Sequence, residues 1–354
     1  MTDRIKTIQS KLSNSEAALI TSDPSRFYLT GFKSSAGFVF ITKENATLLI
    51  DFRYYEKAKS VVKHIDTVLY EKVFEQIADI AKKNAITSIY VETDRISVDE
   101  FSIYQRAIGV DFSEDSLLTD TLRKMREVKT QFEIDSIKTA QSFTDKTFSY
   151  ILERISAGRT ETDIMLDMEF FMRNLGSEGV AFDFIVVSGK NSSLPHGVPT
   201  DKKIENGDFI TMDFGAVYNG YMSDMTRTVA VGGISDKQRE VYDTVLEAQN
   251  KAFELIKTGK KCVEIDKAAR DYIYSRGYEG CFGHGLGHSV GIEIHENPSF
   301  NTRCETRLKS GMVLTVEPGI YIEDEFGVRI EDMVVINDSG FENLTASSKE
   351  LIIL

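Results

Sequence analysis

Histidine is scarce in this chain, with five in 354 residues. Cysteine is scarcer. Its three copies, Cys262, Cys281 and Cys304, form no CxxC pair. So odd and sparse a set argues against a disulfide framework and for reduced, inert, buried thiols. Basic residues are outnumbered, 42 Lys and Arg against 55 Asp and Glu, for a net charge of −13. A nucleic-acid partner would demand a basic patch, so none is expected. No apolar run approaches the ~20 residues of a membrane span. The opening stretch, MTDRIKTIQSKLSNSE, has no apolar signal-peptide core. The expected location is therefore the cytoplasm. What the chain does have is length and a 42% hydrophobic composition, enough for about two domains with a sizeable core.

The first third alternates short strand-like and helix-like pieces. AALITS (17–22), GFVFIT (37–42), ATLLID (46–51) and SIYVET (88–93) read as strands bounded by turn formers. DFRYYEKAKSVV and EKVFEQIADIAKKN have helical spacing. This predicts a small α/β domain over residues 1–122, with the acidic DFSEDSLLTD as its boundary. Over 123–354 the texture changes to long helices at 129–156, from Thr160 to before Gly176, from Ser235 to Gly259, and at 262–276. Thr160 with Asp163 and Ser235 with Gln238 are capping-box pairs.

Between and after the helix pairs the chain repeats itself. IENGDFITMDFG (204–215) lies on LKSGMVLTVEPG (308–319), with Gly207 on Gly311, Thr211 on Thr315 and Gly215 on Gly319. Asp213 and Glu317 share a slot. Each copy is followed by a second acid, Asp224 in GYMSDMTRT and Glu331 in GVRIEDM. The reading is two helix-helix-strand-strand halves related by an approximate twofold. Asn219-Gly220 is a strong hairpin signal. With the turn there, Asp213 lies opposite Thr226 and diagonal to Asp224. One residue of slip sets the two aspartates face to face. In either register they share a face, because strand side chains alternate with period two. Asp332, next to Glu331, points to the other face and reads as solvated or as a support to the site.

Strand interiors disfavour aspartate, and two on one face repel unless a cation lies between them. Asp213, Asp224, Glu317 and Glu331 supply four negative charges, and a neutral imidazole adds none. Two divalent ions balance that sum. Mostly oxygen ligands with one nitrogen suit Mn²⁺, with Co²⁺ or Zn²⁺ as alternatives. Such a pair generates a nucleophilic water near neutral pH. An imidazole of ordinary pKa would lose its metal below about pH 6.

Three histidines crowd into CFGHGLGHSVGIEIHE (281–296), at 284, 288 and 295. With SGKNSSLPHG (188–197), MDFGAVYNGYMSDMTRT (212–228), TVEPGIY (315–321) and GVRIEDM (327–333), this segment makes an ordered set. The set resembles the pita-bread metallopeptidases, whose members include aminopeptidase P, prolidase, methionine aminopeptidase and the metal-free creatinase. The resemblance implies an α+β fold: a pita-bread catalytic domain with an internal pseudo-twofold, preceded by a smaller creatinase-like α/β domain. It implies that Asp213 binds one metal, that Asp224 and Glu331 bridge both, and that His288 and Glu317 bind the other. Glu317 would also shuttle a proton. His196, His284 and His295 match histidines that contact substrate, steady the tetrahedral intermediate or protonate the leaving nitrogen. Arg329, a mark of the proline-specific members, and Tyr321 would line the leaving-group pocket. His64 reads as an ordinary surface residue; TGFKSSAGF (30–38) resembles the N-terminal domain of bacterial aminopeptidase P-like proteins and reads equally as a Gly/Ser turn between strands.

The activity so implied is removal of an N-terminal residue that precedes proline. Prolidase-type cleavage of Xaa-Pro dipeptides is the alternative. A creatinase-like amidinohydrolase would lack the metal acids, which are all here, and a peptide-binding protein without catalysis would have lost at least one. The resemblance further implies a homodimer acting on proline-containing peptides.

Overall fold

A computed structural model describes all 354 residues, which divide into two compact units at Met125/Arg126. The first contains α1 (Thr2–Gln9), β1 (Glu16–Ile20), α2 (Asp23–Thr30), β2 (Phe38–Thr42), β3 (Ala46–Ile50), α3 (Phe52–Val61) and β4 (Asp66–Leu69). It continues through α4 (Val73–Lys83), β5 (Ser88–Val91), α5 (Val98–Ile108) and β6 (Asp111–Ser113), and α6 (Leu117–Glu127) crosses the division. The strands form one mixed sheet in the order β4-β3-β2-β1-β5-β6. Ala17, Leu19, Phe40, Leu49 and Ile89 pack there against Ile77 and Ala81 of α4. DFSEDSLLTD, the expected boundary, supplies the edge strand β6 and the first turn of α6. His64 is half-buried, and its Nε2 meets the Leu29 carbonyl at 2.8 Å.

The second unit is built twice over. α7 (Gln131–Leu152) and α8 (Glu161–Asn174) precede β7 (Ile185–Ser188), β8 (Phe209–Phe214), β9 (Val217–Tyr218), β10 (Tyr221–Met222) and β11 (Met225–Ala230). α9 (Asp236–Phe253) and α10 (Cys262–Ser275) precede β12 (Gly287–Ser289), β13 (Glu296–Phe300), β14 (Val313–Val316), β15 (Gly319–Ile322), β16 (Phe326–Arg329), β17 (Asp332–Asn337) and β18 (Gly340–Asn343). The Thr160/Asp163 and Ser235/Gln238 boxes start α8 and α9. α9 stops at Phe253, short of Gly259.

Each helix pair covers one face of its own sheet. Ala140, Phe148, Ile164 and Met168 pack on Ile210, Met212 and Val229. Val245, Ala248, Ile265 and Ala269 pack on Leu314, Val316, Val334 and Ile336. Residues of the other parity (Thr211, Asp213, Thr226, Thr315, Glu317 and Glu331) are thereby turned to the opposite face. Asp332 has the helix-side parity and is not solvated. It is fully buried, with Arg227 at 2.7 Å and Lys349 at 2.9 Å. Of the cysteines, only Cys262 is buried; Cys281 and Cys304 are half-buried.

Candidate active site

Asn219 and Gly220 both have positive φ, 49° and 77°, and form the two-residue turn between β9 and β10. This fixes the first of the two registers, with Asp213 opposite Thr226. In the second half Val316 pairs with Asp332 and Gly319 with Arg329, so by the same register Glu317 stands directly opposite Glu331. The two acid pairs are therefore not equivalent. Thr226 occupies the slot that Glu331 fills in the other half, and Arg329 occupies that of Asp224. The twofold holds for the strands and fails for the second acid.

The four carboxylates meet in one buried chamber. Asp213 Oδ1, Asp224 Oδ1 and Glu331 Oε1 are buried and accept no hydrogen bond. A buried anionic acceptor with no partner is costly, and three in one chamber mark a place for cations. One ligand atom each from Asp224, His288 and Glu331 lie within 4.8 Å of one another. His288 Nε2 is 3.6 Å from Asp224 Oδ2 and 3.5 Å from Glu317 Oε1. The donor set fits divalent ions with an oxygen-rich preference.

Threonines fix these acids. Thr226 Oγ1 donates to Glu331 Oε2 (2.7 Å), and Thr315 Oγ1 to Glu317 Oε1 (3.2 Å). Thr315 Oγ1 also accepts the His288 N–H at 3.0 Å. Gly287, next to His288, permits this approach, because a Cβ there would lie 2.1 Å from the Thr315 carbonyl oxygen. Burial raises the pKa of Asp224 far above the carboxylate range, reinforced by Glu331 and Asp213. Burial does the same to Glu331, reinforced by Glu317 and Asp213. Glu317 is pushed up to about 8, chiefly by burial. Burial, with His295 nearby, lowers His288 to about 3, so its imidazole is neutral and ready to ligate.

Arg329 crosses the chamber and is held on every side. Its Nη2 pairs with Asp213 Oδ2 at 2.5 Å, and its Nε donates to Thr226 Oγ1 at 3.0 Å. Its Nη1 donates to the Pro195 carbonyl (3.0 Å) and to the Tyr321 hydroxyl (2.8 Å). Tyr321 in turn meets His284 Nε2 at 3.0 Å, and His284 Nδ1 meets the Gly285 carbonyl at 2.8 Å. Burial and Arg329 lower His284 to about 4. A neutral ring then donates through Nδ1 and accepts the tyrosine proton at Nε2. His196 and His295 are exposed, and no side-chain hydrogen bond is seen at either ring. The His295 ring meets that of His288 edge to face, centroids 4.4 Å apart.

All these groups except Tyr321 and the two threonines line one cavity of about 820 Å³, whose walls include Met165, Phe182, Phe184 and the acids Glu169 and Asp183. Sequence reasoning missed Thr226 and Thr315, although each lies near an acid in its motif. It also missed the pair on α10 between the buried Asp266 and the half-buried Arg270. Asp266 accepts the Leu286 N–H, while Arg270 donates to the carbonyls of Phe282 and His284. This pair fastens the glycine-rich loop to the helix. Its signal was only an i,i+4 spacing, common on any helix.

Residues 135–338 match metallopeptidase family M24, and residues 4–149 match the creatinase/prolidase N-terminal domain. The Xaa-Pro dipeptidase of Pyrococcus horikoshii is 40% identical over 95% of this chain and 94% of its own. Among solved structures, an Xaa-Pro dipeptidase from Bacillus anthracis superposes with a TM-score of 0.96 at 41% identity, covering 99% of both chains. An X-Pro aminopeptidase from Thermotoga maritima gives a TM-score of 0.91 at 36% identity, over 98% of this chain and 99% of that one.

Proposed function

The chain belongs to metallopeptidase family M24, and from that premise we propose that it is a two-metal exopeptidase that cuts the bond between an N-terminal residue and a following proline. The observation that carries this reading is the trio of buried, unpartnered oxygens on Asp213, Asp224 and Glu331. In this reading Asp213 would hold one ion, Asp224 and Glu331 would hold both, and His288 with Glu317 would hold the second. Mn²⁺ is the expected metal. Divalent ions there supply a Lewis acid for the scissile carbonyl and a water that ionises near neutral pH. Glu317, already engaged at Oε1 by Thr315, is the base assigned to the water's proton. His295 and His196, at the cavity wall with uncommitted rings, hold the peptide and return a proton to the proline nitrogen. Arg329, fixed by Asp213, forms the wall of the leaving-group pocket; Tyr321 holds its Nη1 from outside the cavity, and His284 meets Tyr321 in turn.

Proline needs a dedicated site because its scissile bond is a tertiary amide with no N–H to grip, and its ring fixes φ. The cavity favours peptides longer than two residues. A dipeptidase must neutralise the free carboxylate on proline. Four of the five Arg329 N–H groups are already committed, and Glu169 and Asp183 on the wall repel an anion. The second reading, a dipeptidase, draws on relatives that bear that name and on His196 and His295 as the remaining partners for a carboxylate. In both readings the protein works as a cytoplasmic homodimer. The test is kcat/KM for Ala-Pro-Ala against Ala-Pro with Mn²⁺ added. The tripeptide should be cleaved, and better than the dipeptide. Cleavage confined to the dipeptide would establish the second reading.

A further inference from the structure

Next to the histidine segment lies a cluster of four charges that line no part of the cavity and that the reaction does not use. Arg126, on the last turn of α6, donates from Nε (3.1 Å) and Nη2 to Glu296 Oε1, and from Nη1 to Glu293 Oε2 at 2.8 Å. Lys129 Nζ donates to Ser289 Oγ at 2.6 Å and lies 3.3 Å from Glu296 Oε2. The Lys129 and Glu296 side chains are only 2% and 5% exposed. Burial alone would raise the Glu296 pKa, but Lys129 and Arg126 outweigh it and hold the carboxyl below its ordinary range. The charges sum to zero, so the cluster needs no outside partner.

Its place in the chain gives it a purpose. Glu296 Oε1 also accepts the main-chain N–H groups of Ile292 (2.9 Å) and Glu293 (3.2 Å), which closes the turn between His288 and His295. Gly291 N–H bonds across that turn to the Glu293 carbonyl at 3.1 Å, and a Cβ on Gly291 would sit 2.6 Å from the Glu296 carboxylate. The main chain is thus drawn onto the carboxylate. Lys129 grips the other end of the turn through Ser289, where the pairing of β12 with β13 shifts register. His288 has its own anchors in β12 and Thr315, whereas His295 lies at the end of the turn, next to Glu296, the first residue of β13.

We infer that Glu296, fixed by Arg126 and Lys129, is a positioning residue that sets His295 against His288 for the reaction. The inference rests on the proposed peptidase function for its kinetic half only. Glu296→Gln keeps the shape and one acceptor but weakens the hold of both cations. With Mn²⁺ and Ala-Pro-Ala, kcat should fall about ten- to a hundredfold, since small misplacements near the chemistry cost that much. KM and metal content should stay near those of the parent. A residue that served only stability would lower the melting temperature and leave kcat unchanged at 25 °C. Gly291→Ala is the second variant. It retains all four charges and displaces the carboxylate, and it should give the same kcat loss if Glu296→Gln does not fold.

The independent readout is the imidazole ¹H–¹⁵N spectrum of the full-length zinc-loaded protein, which holds only five histidines. The His295 resonance should shift or broaden in both variants while His64 does not move. A folded variant with parental kcat, or an unmoved His295 signal, would overturn the inference. If the parent cleaves no Xaa-Pro peptide, the functional reading falls, and the spectrum still decides the positioning role.

Discussion

Replacing Glu317 with glutamine should stabilise the metal-free protein at alkaline pH while abolishing its activity. In the folded chain burial raises the Glu317 pKa from its ordinary 4.5 to about 8. The folded state therefore retains a proton that the unfolded chain gives up. Stability is complete below pH 4.5 and is lost as pH rises through about 8. That gap is worth about 5 kcal/mol. Asp224 and Glu331 share the same chamber, so a neutral amide in place of the Glu317 carboxyl also makes their ionisation easier. Relaxation of the empty site returns part of the cost, which leaves about 2–5 kcal/mol. For a unit of about 230 residues, 1 kcal/mol moves the melting temperature by about 2–4 °C. The assay is scanning calorimetry in EDTA at pH 5 and pH 8.5. Parent and variant should melt within about 3 °C of each other at pH 5, and the variant should melt about 4–20 °C higher at pH 8.5. Added Mn²⁺ should stabilise the parent more than the variant and reverse their order. A variant no more stable than the parent in EDTA at pH 8.5 would refute the reasoning that these acids are held together against their own repulsion.

Asp224→Asn and Glu331→Gln should each remain folded by circular dichroism, bind less than the parental amount of metal, and lose at least about a hundredfold in kcat/KM, about 2.7 kcal/mol. Unimpaired turnover in either would contradict the ligand assignment. Binding of Mn²⁺ at pH 7 should release protons, because Asp224, Glu331 and Glu317 all titrate above the ordinary carboxylate range. Calorimetric titration in buffers of different ionisation enthalpy reads this, and zero release would contradict it. His288 should contribute none above about pH 4, since burial lowers it to about 3. His196→Ala and His295→Ala should lose turnover with metal content intact; loss of metal from either would reassign it as a ligand.

The features written locally in the chain were the legible ones. Asn219-Gly220 announced its turn because only residues tolerant of positive φ serve there, and the boxes at Thr160 and Ser235 announced their helices. The period-two argument placed Asp213 and Asp224 on one face in either register. Long-range register was not legible. Matching Asp224 to Glu331 by order in the chain overlooked that Glu331 lies two residues further past its turn: it follows Phe326 as Thr226, not Asp224, follows Tyr221. That position along the strand puts Glu331 directly opposite Glu317. Burial was equally out of reach. Asp332 read as solvated because nothing nearby in sequence announces Arg227 or Lys349, and the ordinary imidazole value placed metal loss near pH 6, whereas enclosure carries His288 to about 3. α1, α2, α5, β6 and α6 were not anticipated: α1, α2 and β6 are short and α5 is mostly exposed, whereas α6 does carry an apolar face at Leu118 and Leu122. The Arg126–Lys129–Glu296 cluster joins residues about 170 apart in the chain, a separation no local pattern bridges.

One measurement tests the central claim most directly: kcat/KM for release of the N-terminal residue from Ala-Pro-Ala and from Ala-Ala-Ala, in Mn²⁺ and again after EDTA. The account predicts at least about a tenfold preference for the proline peptide, about 1.4 kcal/mol of transition-state discrimination. That activity should vanish in EDTA and return with Mn²⁺. Equal cleavage of the two peptides, or cleavage of the proline peptide that survives EDTA, would contradict it.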